Sequence, residues 1–192
     1  RLGQAGLALI EAEQSPAKAV NQLQQALRRY PKDVELIGAM GLAHLRLGDR
    51  RQALQYFQRA IATEQDDDRK SRWISFGNAT KFWLLLEEAE KAANQTQWDK
   101  AERLYTQAHR YDSTNIFPIL GLGRTYLAKG DTEKAWHYYQ LASRLEPLND
   151  SVQRGVIDYA SHFSVEKSLA ILKQLDPILQ KQTLLVQARH SY

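Results

Sequence analysis

The chain has 192 residues, 43% hydrophobic and 25% charged, with a formal net charge of +4 and no cysteine. No apolar run is long enough to cross a bilayer, and the missing cysteines exclude disulfides and thiol catalysis while leaving the redox compartment open. Lysines and arginines are scattered among acids, without the basic stripe and stacking rings that nucleic-acid binding calls for.

In chain order, the first element follows Glu13-Gln14-Ser15-Pro16, where Ser15 is expected to cap and Pro16 to take the first helical position. Ala19, Leu23 and Ala26 then fall at helical spacing, and Pro31 ends the unit. Thirty-four residues on, Ala53 and Ala60 repeat Ala19 and Ala26 in a second unit that also holds Gly41, the turn Gly48-Asp49 and Phe57. The next pair, Ala101 and Ala108, comes 14 residues later than a strict period allows, so an insertion lies near Asp66 to Thr80. Asp66-Asp67-Asp68 reads as an acidic helix start, and Trp73, Ile74, Phe82, Leu85 and Leu86 continue an apolar face. One long helix from about Arg69 to Gln95 is expected, with Gly77-Asn78 as a candidate kink.

The third unit holds Ala89, Trp98, Ala101, Tyr105 and Ala108. The fourth is the most regular: Leu122, Gly123 and Tyr126 on the inner face of a first helix, Gly130-Asp131 at the turn, Ala135, Tyr139 and Ala142 on the second helix, and Pro147 at the end. Glycine supplies the left-handed conformation that stops one helix, and aspartate caps the next. A shortened fifth unit spans Ser151 to His162 and Val165 to Gln174, before Pro177 opens a last amphipathic segment. A period of 34 with small residues seven apart resembles the tetratricopeptide repeat. The resemblance implies an all-α fold, a right-handed α-α superhelical solenoid. Residues 1–65 carry repeats 1 and 2, and 66–81 form the inserted segment extending the first helix of repeat 3, a candidate hinge. Residues 82–149 carry repeats 3 and 4, and 150–192 the shortened repeat 5 and a terminal helix of a longer array. A start at Arg1 and a last helix without an evident cap fit an expectation that the chain is a segment of a larger protein.

Pro31-Lys32-Asp33, Gly48-Asp49-Arg50, Lys70-Ser71-Arg72-Trp73, Phe82-Trp83-Leu84, Asp99 to Leu104, Leu120-Gly121-Leu122-Gly123, Tyr138-Tyr139-Gln140 and Val165-Glu166-Lys167 resemble the repeat region of the cellulose synthase operon protein C family. The insertion and the shortened fifth unit fall in the same places, whereas Leu7 stands where a glycine is usual and the stretch after Asp176 matches loosely. The resemblance implies a periplasmic helical array joined, in the full protein, to a C-terminal outer-membrane β-barrel that passes cellulose. It implies partners among the protein components of the cellulose synthase complex, with glucan as a further candidate.

No catalytic site is expected. His44, His109, His137, His162 and His190 are far apart in sequence, the aspartate triplet lacks the glycine and distal glutamate of a calcium loop, and no phosphate loop or nucleophile elbow occurs. No metal and no cofactor are expected either. In tetratricopeptide solenoids the first helix of each unit lines the concave face, which here takes in Glu35, Gly38, Ala39, Leu42, Leu45 and Arg46 from the second unit. The candidate partner-binding residues are Arg46, Trp83, Glu87, Glu90, Phe117, Arg124 and Arg154. Trp83 and Phe117 are read either as inter-repeat packing or as exposed rings for a peptide anchor or a sugar, with Trp73 as a further groove candidate on the insertion. The charged clamp of chaperone-binding repeats is missing. A scaffold for exopolysaccharide export is the leading reading, with direct glucan guidance or a generic adaptor as the alternatives.

Overall fold

The computed structural model describes residues 15–173. Among them are nine helices and no strand: α1 (Pro16–Arg29), α2 (Val34–Arg46), α3 (Arg50–Thr63), α4 (Asp67–Asn94), α5 (Trp98–Tyr111), α6 (Ile116–Ala128), α7 (Thr132–Leu145), α8 (Asp150–Ser161) and α9 (Val165–Lys173). The helices form two compact units, one ending at Leu84 and the other beginning at Leu85, so α4 contributes to both. The segment after Pro177 and the position of Leu7 lie outside the described residues.

Local chemistry sets the helix ends. The Asp49 carboxylate accepts from the Gln52 amide at 3.0 Å and Asp131 from the Lys134 amide at 3.1 Å, each satisfying an amide that the first turn leaves unpaired. Gly48 and Gly130 precede them at φ 78° and 80°, the left-handed conformation expected of a turn glycine. At α1, Pro16 takes the first helical position as expected, but the Ser15 hydroxyl makes no capping bond. Proline already removes one orphan amide there, which leaves less for a cap to satisfy.

In the first unit Ala19, Ala53 and Ala60 are fully buried with Leu23, Ile37, Met40 and Phe57. A Cβ at Gly41 would meet the Phe57 ring at 2.6 Å, so the bare backbone of α2 is what lets α3 approach. In the second unit Ala101, Ala108, Ala135 and Ala142 are equally buried, and Tyr105 and Tyr139 take the place of Phe57. Side chains of this size stabilise by about 1.5–3 kcal/mol each when fully buried. Small residues at the crossings and one ring in the wider gap reproduce the expected repeat grammar.

The inserted residues continue one helix. Asp66 caps α4 by accepting from the Arg69 amide at 2.9 Å, and Asp67 and Asp68 sit in its first turn. Gly77 and Asn78 lie inside α4 without interrupting it. Trp73, a candidate groove ring in the sequence, is instead 2% exposed, stacked near Phe57 at a centroid distance of 6.3 Å. The fifth unit, α8 and α9, closely follows the expected spans.

Candidate partner-binding face

Glu90 and Arg124 occupy the same repeat position, 34 residues apart, on the first helices of successive units. Arg124 Nη2 donates to Glu90 Oε2 at 2.8 Å, and to the Tyr105 hydroxyl at 2.9 Å. The same hydroxyl donates to Glu90 Oε1 at 2.5 Å, closing a three-membered network. Burial, then the Glu90 carboxylate, pushes the Tyr105 phenol well above the ordinary tyrosine range. Hydrogen bonding to Glu90 and the Tyr105 oxygen outweigh burial, the largest single influence, and hold the Arg124 guanidinium further toward its charged form. The hydroxyl reaches this face because Gly121 has no side chain: a methyl there would fall within the Tyr105 ring.

A second network ties α5 to the end of α6. Lys129 Nζ donates to Asp99 at 2.7 Å and also to Glu102, while the Tyr126 hydroxyl donates to Glu102 at 2.8 Å. Tyr126 stacks on Tyr138 with centroids 5.7 Å apart. Hydrogen bonding to Lys129 lowers both carboxyls, and burial helped by Glu102 pushes the Tyr126 phenol to about 12. An open cleft of about 640 Å³ lies beside it, lined by Thr96, Trp98, Asp99, Arg103 and Lys129 among others.

Of the sequence candidates, Arg46, Glu87, Arg124 and Arg154 are exposed and Glu90 is half-buried. Trp83 and Phe117 are exposed rings, at 43% and 48%. Trp83 meets Phe82 edge to face at 5.1 Å. The network unites Glu90 with Arg124, and Glu35 pairs with Arg72. Gly38 and Ala39, and Gly121, which takes the position of Ala39 in the fourth unit, do not line a groove as counting positions implies. They are buried, with the rings of Trp73 and Tyr105 over the two glycines. Sequence reasoning missed the Tyr105 hydroxyl, although tyrosine where the second unit carries Phe57 was a signal that a polar atom is used. Among the described residues, no group of three His, Asp or Glu side chains could hold a metal ion, and no helix is long and apolar enough to cross a membrane.

Paired helices with glycine-aspartate turns and alanine crossings define a helical repeat array. Family models described as tetratricopeptide repeat match residues 11–70 and 119–147. The chain is 35% identical to cellulose synthase operon protein C of Escherichia coli strain K12 over 117 residues, which is 61% of this chain and 10% of that protein. It is 27% identical to cellulose synthase 1 operon protein C of Komagataeibacter xylinus, covering 81% of this chain and 14% of the relative. The homologues thus carry the name that the sequence motifs resemble, and the chain spans 10–14% of the length of these two curated relatives. Among solved structures, the MamA RS-1 double mutant covers 98% of each chain at 17% identity and a TM-score of 0.48.

Proposed function

We propose that this array is a scaffold segment of a bacterial cellulose synthesis and export machinery, binding protein partners rather than performing chemistry. The observation that carries the reading is the 35% identity to cellulose synthase operon protein C over 61% of the chain. The fold agrees with it, since the first helices of the described pairs carry exposed side chains such as Arg46, Phe117 and Arg124 beside a buried core. The partner-binding candidates are Arg46 and Trp83 in the first unit, and Glu87, Phe117, Arg154 and the Glu90–Arg124 pair in the second, and the partners are protein components of the synthase complex. The segment resides in the periplasm, and the full protein is held in the outer membrane by a C-terminal β-barrel.

The test replaces the chromosomal copy, in a cellulose-producing bacterium, with one lacking residues 15–173. Extracellular cellulose should fall while the remaining protein still reaches the envelope; unchanged output would sink the reading. Photo-crosslinking side chains at Glu87 and Arg154 should trap synthase components. Alkaline phosphatase fused after residue 173 should be active, as that enzyme is in an oxidising compartment, and an inactive fusion would refute the location.

A further inference from the structure

The turn joining α1 to α2 is built differently from its counterparts. At the place of Tyr30, the later turns carry Glu64, Asp112 and Glu146. Those carboxylates serve their own turns: Glu64 accepts from the Gln65 and Asp66 amides, Asp112 from the Thr114 amide and Glu146 from the Asn149 side chain. Here the acid is replaced by a ring that is 42% exposed, inside an exposed run of Arg28, Arg29, Tyr30, Pro31 and Lys32. A fourth cation joins from α3, because Arg59 Nη2 donates to the Pro31 carbonyl at 2.5 Å. None of these four cations is ion-paired with a described residue. The adjacent Asp33 carboxylate is turned inward to the Glu35 and Leu36 amides.

We propose that Arg28, Arg29, Lys32 and Arg59 around Tyr30 form a docking surface for an acidic segment of a partner protein. The helix dipole accounts for cations in the last turn of α1, namely Arg28 and Arg29, but not for Lys32, Arg59 or the exposed ring. Guanidinium forks match carboxylates in pairs, and arginine and tyrosine are the residue types that concentrate at protein interfaces. A narrow acidic peptide fits this one turn. The four cations are confined to this one turn and the adjoining part of α3, a footprint for a peptide rather than for a flat membrane. The surface lies on the α1–α2 turn rather than on the first-helix face, and it stands whether or not the array serves cellulose synthesis.

The test measures fluorescence anisotropy of a labelled peptide of alternating glutamate and serine against the full 192-residue chain. A glutamine-for-glutamate peptide serves as the neutral control. Vesicles of phosphatidylglycerol or phosphatidylcholine form the membrane arm. The acidic peptide should bind, more weakly as salt screens the charges. Affinity should drop about tenfold or more in Arg28→Glu/Arg29→Glu, and should hold in Arg103→Glu/Arg110→Glu; a tenfold change is about 1.4 kcal/mol. Lys32→Glu, outside the helix, should weaken binding with an unchanged urea midpoint, which separates docking from helix stability. No binding of the acidic peptide, equal binding by the charge-reversed variants, or preference for the anionic vesicles would overturn the proposal.

Discussion

Thr96 shows how much one side chain can strain an otherwise regular turn. Its φ of 56° puts a β-branched residue in the left-handed conformation that Gly48 and Gly130 occupy in the neighbouring units. Such a conformation costs about 1–2 kcal/mol for an L-residue, whereas glycine adds roughly 0.5–1 kcal/mol of unfolded-state entropy. Thr96→Gly should therefore stabilise by up to about 1 kcal/mol, read as a higher urea midpoint; an unchanged or lower midpoint would mean that the turn carries no strain. Tyr105 works the other way, since its ring is buried and its hydroxyl is shared by Glu90 and Arg124. Tyr105→Phe should cost about 1–2 kcal/mol at neutral pH, because the hydroxyl bonds to charged groups. Its raised phenol, with that of Tyr139 pushed by burial to about 12, also sets the alkaline limit. A raised pKa means that the folded state favours the proton, so this contribution is fully present below about pH 10 and is lost progressively as pH climbs above it, through about 12 for Tyr139 and higher still for Tyr105. Urea denaturation at pH 7 and pH 11 should show a shallower alkaline loss in Tyr105→Phe than in the parent, and parallel losses would refute the assignment.

At the scale of the helix, two glycines that look alike in sequence should respond with opposite signs. A Cβ at Gly77 would meet Ile61 at 3.5 Å and Phe57 at 3.8 Å, ordinary contacts inside α4. Gly77→Ala should gain about 0.5–1 kcal/mol from helix propensity. At Gly121 the methyl would run into the Tyr105 ring, and Gly121→Ala should cost about 1–3 kcal/mol through overpacking. Thermal unfolding of the pair settles it: a destabilised Gly77→Ala would show that α4 needs a bend there, as the candidate hinge requires. The alanine crossings at 53, 60, 101, 108, 135 and 142 were legible because close approach of two helices permits little else. The long α4 was legible from its acidic start and apolar face. The burial of Gly38 and Gly121 was not, since counting positions tells which side of a helix a residue occupies but not how far a ring from another helix reaches. Trp73 went astray for the same reason: an indole on an inserted turn reads as exposed until Gly38 opens the space that receives it.

Across the whole molecule, the question that divides the readings is whether this array holds a protein or a sugar polymer. An uncharged glucan is gripped by rows of rings, since each pyranose offers an apolar face and a rim of hydroxyls. Trp83 and Phe117, 43% and 48% exposed, stand at the same position of the third and fourth repeats, but Glu35 and Ser151 occupy that position in the second and fifth. The rest of the first-helix positions mix apolar side chains such as Leu42 and Leu45 with Arg46, Glu87, Arg154 and the Glu90–Arg124 pair, charges that suit a peptide backbone and side chains better than neutral hydroxyls. With rings at only two of these four equivalent positions, cellohexaose titrated into the chain should show no dissociation constant tighter than about 1 mM, equivalent to roughly 4 kcal/mol of binding. Calorimetry with the parent, Trp83→Ala and Phe117→Ala is the measurement. A sub-millimolar affinity that disappears with either ring would replace the scaffold by a glucan guide and make that ring its first contact.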